Sequence, residues 1–177
     1  MSLDAPPAVA TALTLADLTG PGLILPQLRG QDAASVIQEL GQALQQEKRI
    51  PDLLPFYHAA LNREFLGGTD MEAGMAFPHA RLPGLPAVSF ALGRSGAPLD
   101  WGGRSAGAVR LVFLLAVPAT DSTQYLLLIS GLARLAKDPG HMAQLHAAPG
   151  AKEILMVLQQ IELRSSSSAH PMKKLGG

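Results

Sequence analysis

Apolar residues change their period several times along this chain, and each change marks an element. From Asp32 they fall on one helical face: Ala33, Val36, Ile37, Leu40 and Leu44, with Gln38, Gln42, Gln45 and Gln46 mostly turned away. Asp32 caps the start of this helix, Lys48 and Arg49 suit its negative end, and Pro51 stops it. A second helix is predicted from about Asp52 to Phe65, with Leu54, Tyr57, Leu61 and Phe65 on or near one stripe. Pro55 fits only in its first turn, and Gly67-Gly68 ends it. Tyr125, Leu128, Ile129, Leu132, Leu135 and Ala136 repeat at 3-4 spacing and predict another helix, with Asp121, Ser122 and Thr123 as caps. Asp138-Pro139 reads as N-cap and first residue of a short helix. Ala151, Ile154, Leu155 and Leu158 mark the final one.

Between the helices the signals are those of strands. Leu23 to Leu28 is a short strand that Pro26 restricts to a sheet edge or a bulge. The stretch from Met71 to Arg81 holds a short run that stops at Pro78, which has no backbone donor and a fixed φ. Phe77, preceding a proline, is pushed toward extended geometry. Ala87 to Gly93 is a further strand, followed by a Gly/Pro-rich connection that holds Trp101, the only tryptophan. Val109 to Val117 is the strongest strand signal; its near-continuous apolar run suggests a central strand covered on both faces. Helices and strands interleave without repeats or an internal linker. The expected fold is therefore a single α/β domain over residues 12–163, a mixed, mostly parallel sheet with helices on both faces. Residues 1–11 are expected to be a flexible N-terminus and 164–177, with its Ser165–Ser168 run, a disordered tail.

Composition narrows the classes. With 177 residues, 47% hydrophobic and only 16% charged, the chain has enough apolar material for a real core. Fourteen basic residues balance fourteen acidic ones, so no bulk charge points to nucleic acid or an anionic membrane. The absence of cysteine excludes disulfides, thiolate catalysis and cysteine-bound zinc. The first twenty residues lack a basic, then apolar, signal pattern, and Leu111 to Val117 is far shorter than the roughly 20 residues of a membrane helix. The expected location is the cytoplasm.

The candidate chemistry centres on His79. It follows Pro78 at the expected carboxyl end of a strand, where open α/β sheets keep their sites. Small residues (Ala73, Gly74, Ala76) surround it in sequence and Arg81 lies two positions on. Histidine is the side chain best suited near neutral pH to accept and release a group through nitrogen. The alternative is an ordinary turn histidine. The other histidines are weaker candidates: His141 and His146 are five apart, about 140° round a helix, which fails the i, i+4 spacing of a helical metal pair. Asp100-Trp101-Gly-Gly reads as a turn in which Trp101 covers apolar surface.

Two segments carry a family resemblance. Leu61-Asn-Arg-Glu-Phe-Leu-Gly-Gly-Thr-Asp70 and Gly74-Met-Ala-Phe-Pro-His-Ala-Arg81 resemble the fructose/mannitol/nitrogen-regulatory type of enzyme IIA domain of the bacterial phosphotransferase system, where an R-E-x-x-G-x-T segment leads into G-x-A-x-P-H-x-R. The likeness covers nearly all of 12–163. It implies a phosphohistidine carrier that receives a phosphoryl group from an HPr-type protein and passes it to an enzyme IIB or holds it as a signal, without metal or organic cofactor. It matches His79 to the phosphorylated histidine, Arg63 to the arginine near it, and Arg81 to the basic residue that follows. Phosphoryl transfer asks mainly for in-line positioning and charge stabilisation, which an imidazole and guanidinium forks supply. The amino end of the helix near Ser122 is expected to add backbone donors. Many members carry a second histidine in the first turn of that helix; ungapped alignment from Pro118 puts Tyr125 there, a phenol that can donate to a phosphate oxygen. That departure, and the lack of a fused transporter segment, lean the expectation toward regulation over sugar uptake. The competing reading is a non-catalytic interaction module that keeps the fold; a metal hydrolase is disfavoured by the lack of a carboxylate/histidine cluster.

Overall fold

The computed structural model describes residues 12–66, 70–71, 73–102 and 109–164. The expected N-terminal arm, the Gly67-Gly68 helix end, Thr69 of the first motif and positions 165–177 lie outside them. Six strands form one mixed sheet: β1 (Ile24–Leu25), β2 (Asp70–Met71), β3 (Met75–Ala76), β4 (His79–Leu82), β5 (Ser89–Leu99) and β6 (Val109–Pro118). Five α-helices accompany them: α1 (Ala33–Gln46), α2 (Leu53–Leu66), α3 (Ser122–Ala136), α4 (Pro139–Ala147) and α5 (Ala151–Leu158), after two short 3-10 turns at 15–18 and 21–23.

β6 organises the sheet. It pairs antiparallel with β5 on one side and parallel with β3 and then β4 on the other, while β1 runs parallel to β5 at the far edge. From Leu111 to Pro118 every residue of β6 is buried, as its unbroken apolar run requires. Alternation along the strand feeds two cores. Leu111, Phe113, Leu115 and Val117 join Phe77 and Phe90 and are covered by α3, α4 and α5. Val112, Leu114 and Ala116 join Ala76, Ala80 and Ala91 and are covered by α1 and α2. Each of these large side chains stabilises the fold by on the order of 1.5–3 kcal/mol relative to exposure.

Several elements depart from the sequence expectation. The 71–81 stretch is not one strand ending before His79: Pro78 splits it into β3 and β4, and His79 begins the second piece. Both pieces keep the same offset to β6, Met75 opposite Leu111 and His79 opposite Leu115, so the break inserts no residue. β5 runs past Gly93 to Leu99, with a register irregularity between Arg94 and Leu99 that absorbs Gly96 and Pro98. Helix α1 ends at Gln46, well before Pro51. Lys48, at φ 58°, takes the left-handed position, Arg49 N–H bonds Leu44 O at 2.8 Å and Lys48 N–H bonds Gln45 O at 3.0 Å, a Schellman closure with lysine where glycine is usual. In α2 the inward residues are Phe56 and Ala60, while Leu54 is 66% exposed. Trp101 is buried within the α1/α2 core.

Candidate functional site

His79 is positioned by backbone before any side chain acts on it. The carbonyls of Gly74 and Pro78 accept from β6, at Leu111 N–H (3.2 Å) and Leu115 N–H (2.9 Å). By the two-residue alternation of a strand, the Phe77 carbonyl faces the opposite, outer side, where among the described residues β2 pairs with Met75 and Ala76. The imidazole folds back to this carbonyl, with Nδ1 at 3.1 Å from Phe77 O. A carbonyl can only accept, so Nδ1 carries the proton and the Nε2 lone pair is left for chemistry.

Alternation also decides which face the site uses. Ala80 and Leu82 pack into the α1/α2 core, so His79 and Arg81 point to the face covered by α3. There the first turn of α3 brings Tyr125, whose ring centroid lies 6.0 Å from that of His79. The Arg81 guanidinium stands over the same phenol ring, 5.8 Å from its centroid, and Nη2 donates to Ser122 Oγ at 2.9 Å. His79 is half-buried and Arg81 exposed, so the cluster opens to solvent.

Of the sequence-predicted residues, His79, Arg81 and Tyr125 are brought together. Arg63 stands exposed in the last turn of α2, the helix covering the opposite face, which packs against β4. The amino end of α3 does not offer the anion site expected of it in full: the Asp121 carboxylate already caps it, accepting from Gln124 N–H at 3.1 Å. Two participants were not singled out from sequence for what they do here. Ser122 meets Arg81 only through the pairing of β4 with β6, a contact across 41 positions, and the Phe77 carbonyl is main chain and leaves no compositional signal. Among the described residues no group of three or more His, Asp or Glu side chains is placed to hold a metal ion, and no helix is long and apolar enough to cross a membrane.

Comparison with known proteins agrees with this architecture. The chain is 31% identical over 151 residues to a nitrogen regulatory protein of Bradyrhizobium diazoefficiens, covering 82% of this chain and 95% of the relative. The fold is that of the nitrogen regulatory protein IIA-Ntr from Neisseria meningitidis (TM-score 0.68, 23% identity, 81% of this chain and 98% of that one). It is also that of the mannitol enzyme IIA from Escherichia coli, solved in complex with phosphorylated enzyme IIB (TM-score 0.66, 18% identity, 80% and 96%). The family model for the EIIA 2 component of the phosphoenolpyruvate-dependent sugar phosphotransferase system matches residues 18–161, and the chain belongs to that family.

Proposed function

We propose that residues 12–163 act as a phosphohistidine carrier that accepts a phosphoryl group on His79 from an HPr-type phosphoprotein, in a regulatory, nitrogen-type role in the bacterial cytoplasm rather than in sugar uptake. The observation that carries this is the Nδ1 bond to the Phe77 carbonyl, which leaves Nε2 as nucleophile. In the transfer, the Nε2 lone pair attacks phosphorus, the bond from phosphorus to the donor atom breaks, and that electron pair leaves with the donor; Nδ1 keeps its proton throughout. Arg81 holds an equatorial phosphoryl oxygen as charge spreads over the group, and the Tyr125 hydroxyl donates to another. The family motif also implies a stabilising role for Arg63, which it would take from the last turn of α2, a helix packed against β4. The regulatory preference rests on the nitrogen regulatory relative, which the chain matches over nearly its whole length. The enzyme IIB complex of the mannitol relative supports a second protein, an enzyme IIB or a regulatory target, as acceptor.

Tyr125 beside His79 favours one competing reading, a module that keeps the fold but transfers nothing. Incubation with phosphoenolpyruvate, enzyme I and an HPr-type carrier decides between them. Intact mass should show one acid-labile phosphate on the wild type and none on His79→Ala. An unlabelled wild type, beside a known enzyme IIA that labels, removes the carrier reading; label surviving His79→Ala removes the site.

A further inference from the structure

A second group of basic side chains converges at the other end of the sheet. Arg94 of β5 pairs with Leu111 of β6 there, four residues from the Leu115 that lies opposite His79, roughly 13 Å along the strand. Between β5, the start of β6 and the end of α4 opens a cleft of about 480 Å³, a size typical of small-molecule sites. Arg94, Arg110 and His146 line it from three different elements, with Gln27 and Ser95 as further polar groups and no carboxylate among the described lining residues.

Arg94 is fixed in place. Nε donates to Pro26 O at 3.2 Å, and Nη1 donates to Leu145 O and Ala148 O, each at 2.7 Å, at the carbonyl end of α4. Those bonds explain Arg94 as a helix C-terminal cation. They do not explain why Arg110, whose Nη1 donates to Gly96 O at 3.2 Å, and His146, whose ring is partly covered, share the same concavity. Like charges gathered with no carboxylate beside them among the described residues destabilise one another. The His146 imidazole registers this: burial, then the charges of Arg110 and Arg94, hold it below the ordinary histidine value.

The geometry points to this cleft as a binding site for a small oxyanion, a phosphoryl- or carboxylate-bearing metabolite held by Arg110 and Arg94 with the His146 imidazole as third donor. The Nε/Nη2 edge of Arg110 matches either oxyanion in bidentate geometry, and Arg94, whose Nε and Nη1 are held by main-chain carbonyls, adds Nη2. A bound anion favours the charged imidazole, so binding takes up a proton at His146 and tightens as pH falls toward its titration range. Among the described residues the charged groups facing His146 are Arg94 from β5 and Arg110 from β6; the 26–27 wall contributes none.

The test is titration of the full chain with sodium pyrophosphate and, separately, with citrate at constant ionic strength, following backbone amides 94–96 and 110 and the His146 ring by NMR. The expected result is saturable shifts at these positions. Arg110→Gln should weaken binding by roughly tenfold, the loss of one charge-assisted bond. His146→Gln should also weaken it and abolish proton uptake, whereas His79→Ala should leave affinity unchanged. Saturation by pyrophosphate alone assigns the phosphoryl class, by citrate alone the carboxylate class, and by both a site reading charge. Linear, unsaturable shifts with both probes overturn the proposal. So does binding that His79→Ala abolishes and neither Arg110→Gln nor His146→Gln changes.

Discussion

Replacing Arg81 by glutamine separates what this residue does for the fold from the part proposed for it in phosphoryl transfer. For the fold it does little: its bond to Ser122 Oγ is exposed, and its position over Tyr125 is worth about 0.5–1 kcal/mol. The unfolding free energy measured in urea should therefore fall by less than about 1 kcal/mol. For transfer the account differs. Arg81 and His79 lie two residues apart on one strand face, both beside the Tyr125 ring, so a phosphoryl group on Nε2 comes within reach of the guanidinium. A unit charge pair about 5 Å apart at an effective dielectric near 20 interacts by about 3 kcal/mol. Solvent at this open site leaves roughly 1–2 kcal/mol of that, or 5- to 30-fold in rate. The assay is rapid-quench measurement of label passing from phosphorylated HPr-type carrier to the protein. Arg81→Lys, which keeps the charge but loses the fork, should fall between wild type and Arg81→Gln. Transfer by Arg81→Gln within twofold of wild type, with the fold intact, refutes this role for Arg81.

Other outcomes follow from the fold. Lys48→Gly should stabilise the protein by about 0.5–1 kcal/mol in urea unfolding, because glycine takes the left-handed position at the end of α1 without the side-chain penalty. Phe113→Ala removes a fully buried ring that meets Phe77 at 5.6 Å and Phe90 at 5.7 Å, and should lower unfolding free energy by about 3–5 kcal/mol. Acid should weaken the fold through two helix caps. The Ser35 hydroxyl and amide hold Asp32 below the usual carboxylate range, and the His141 amide, with its ring, does so for Asp138. A depressed folded value means stability present above the unfolded value of about 3.9 and lost as pH falls through the folded one. Asp32→Ala with Asp138→Ala should accordingly flatten the decline in urea midpoint from about pH 4 downward; an unchanged slope counts against both caps.

How much was legible in the sequence depends on whether the cause was local. Asp32, Asp121 and Asp138 each accept from an amide in the first turn of the helix they precede, as their positions imply. The apolar run of β6 placed it at the centre. Lys48 hid the end of α1, since nothing local marks a lysine as left-handed. Phe56 and Ala60 displaced Leu54 from the inward stripe of α2 because that helix has too few polar residues to define one face. β5 ran on through Gly96 and Pro98 because pairing with β6 outweighed two poor strand formers. For the site, Tyr125 was legible as helix-start placement, whereas His79, expected at the end of a strand, begins β4 and meets Tyr125 because β4 runs beside the end of β6. The partnership of Arg81 with Ser122 needed the pairing of β4 with β6.

The proline break between β3 and β4 has a consequence for how this site can vary. The His79 nitrogen left without a proton is selected by a main-chain oxygen, the Phe77 carbonyl, turned away from β6. No side-chain substitution at position 77 removes that oxygen. An alanine scan would therefore score Phe77 for its packing against Phe113 and miss its part in choosing the tautomer. Sequences can drift at 77 while the tautomer of His79 stays fixed, provided the chain keeps the same offset to β6 on either side of Pro78.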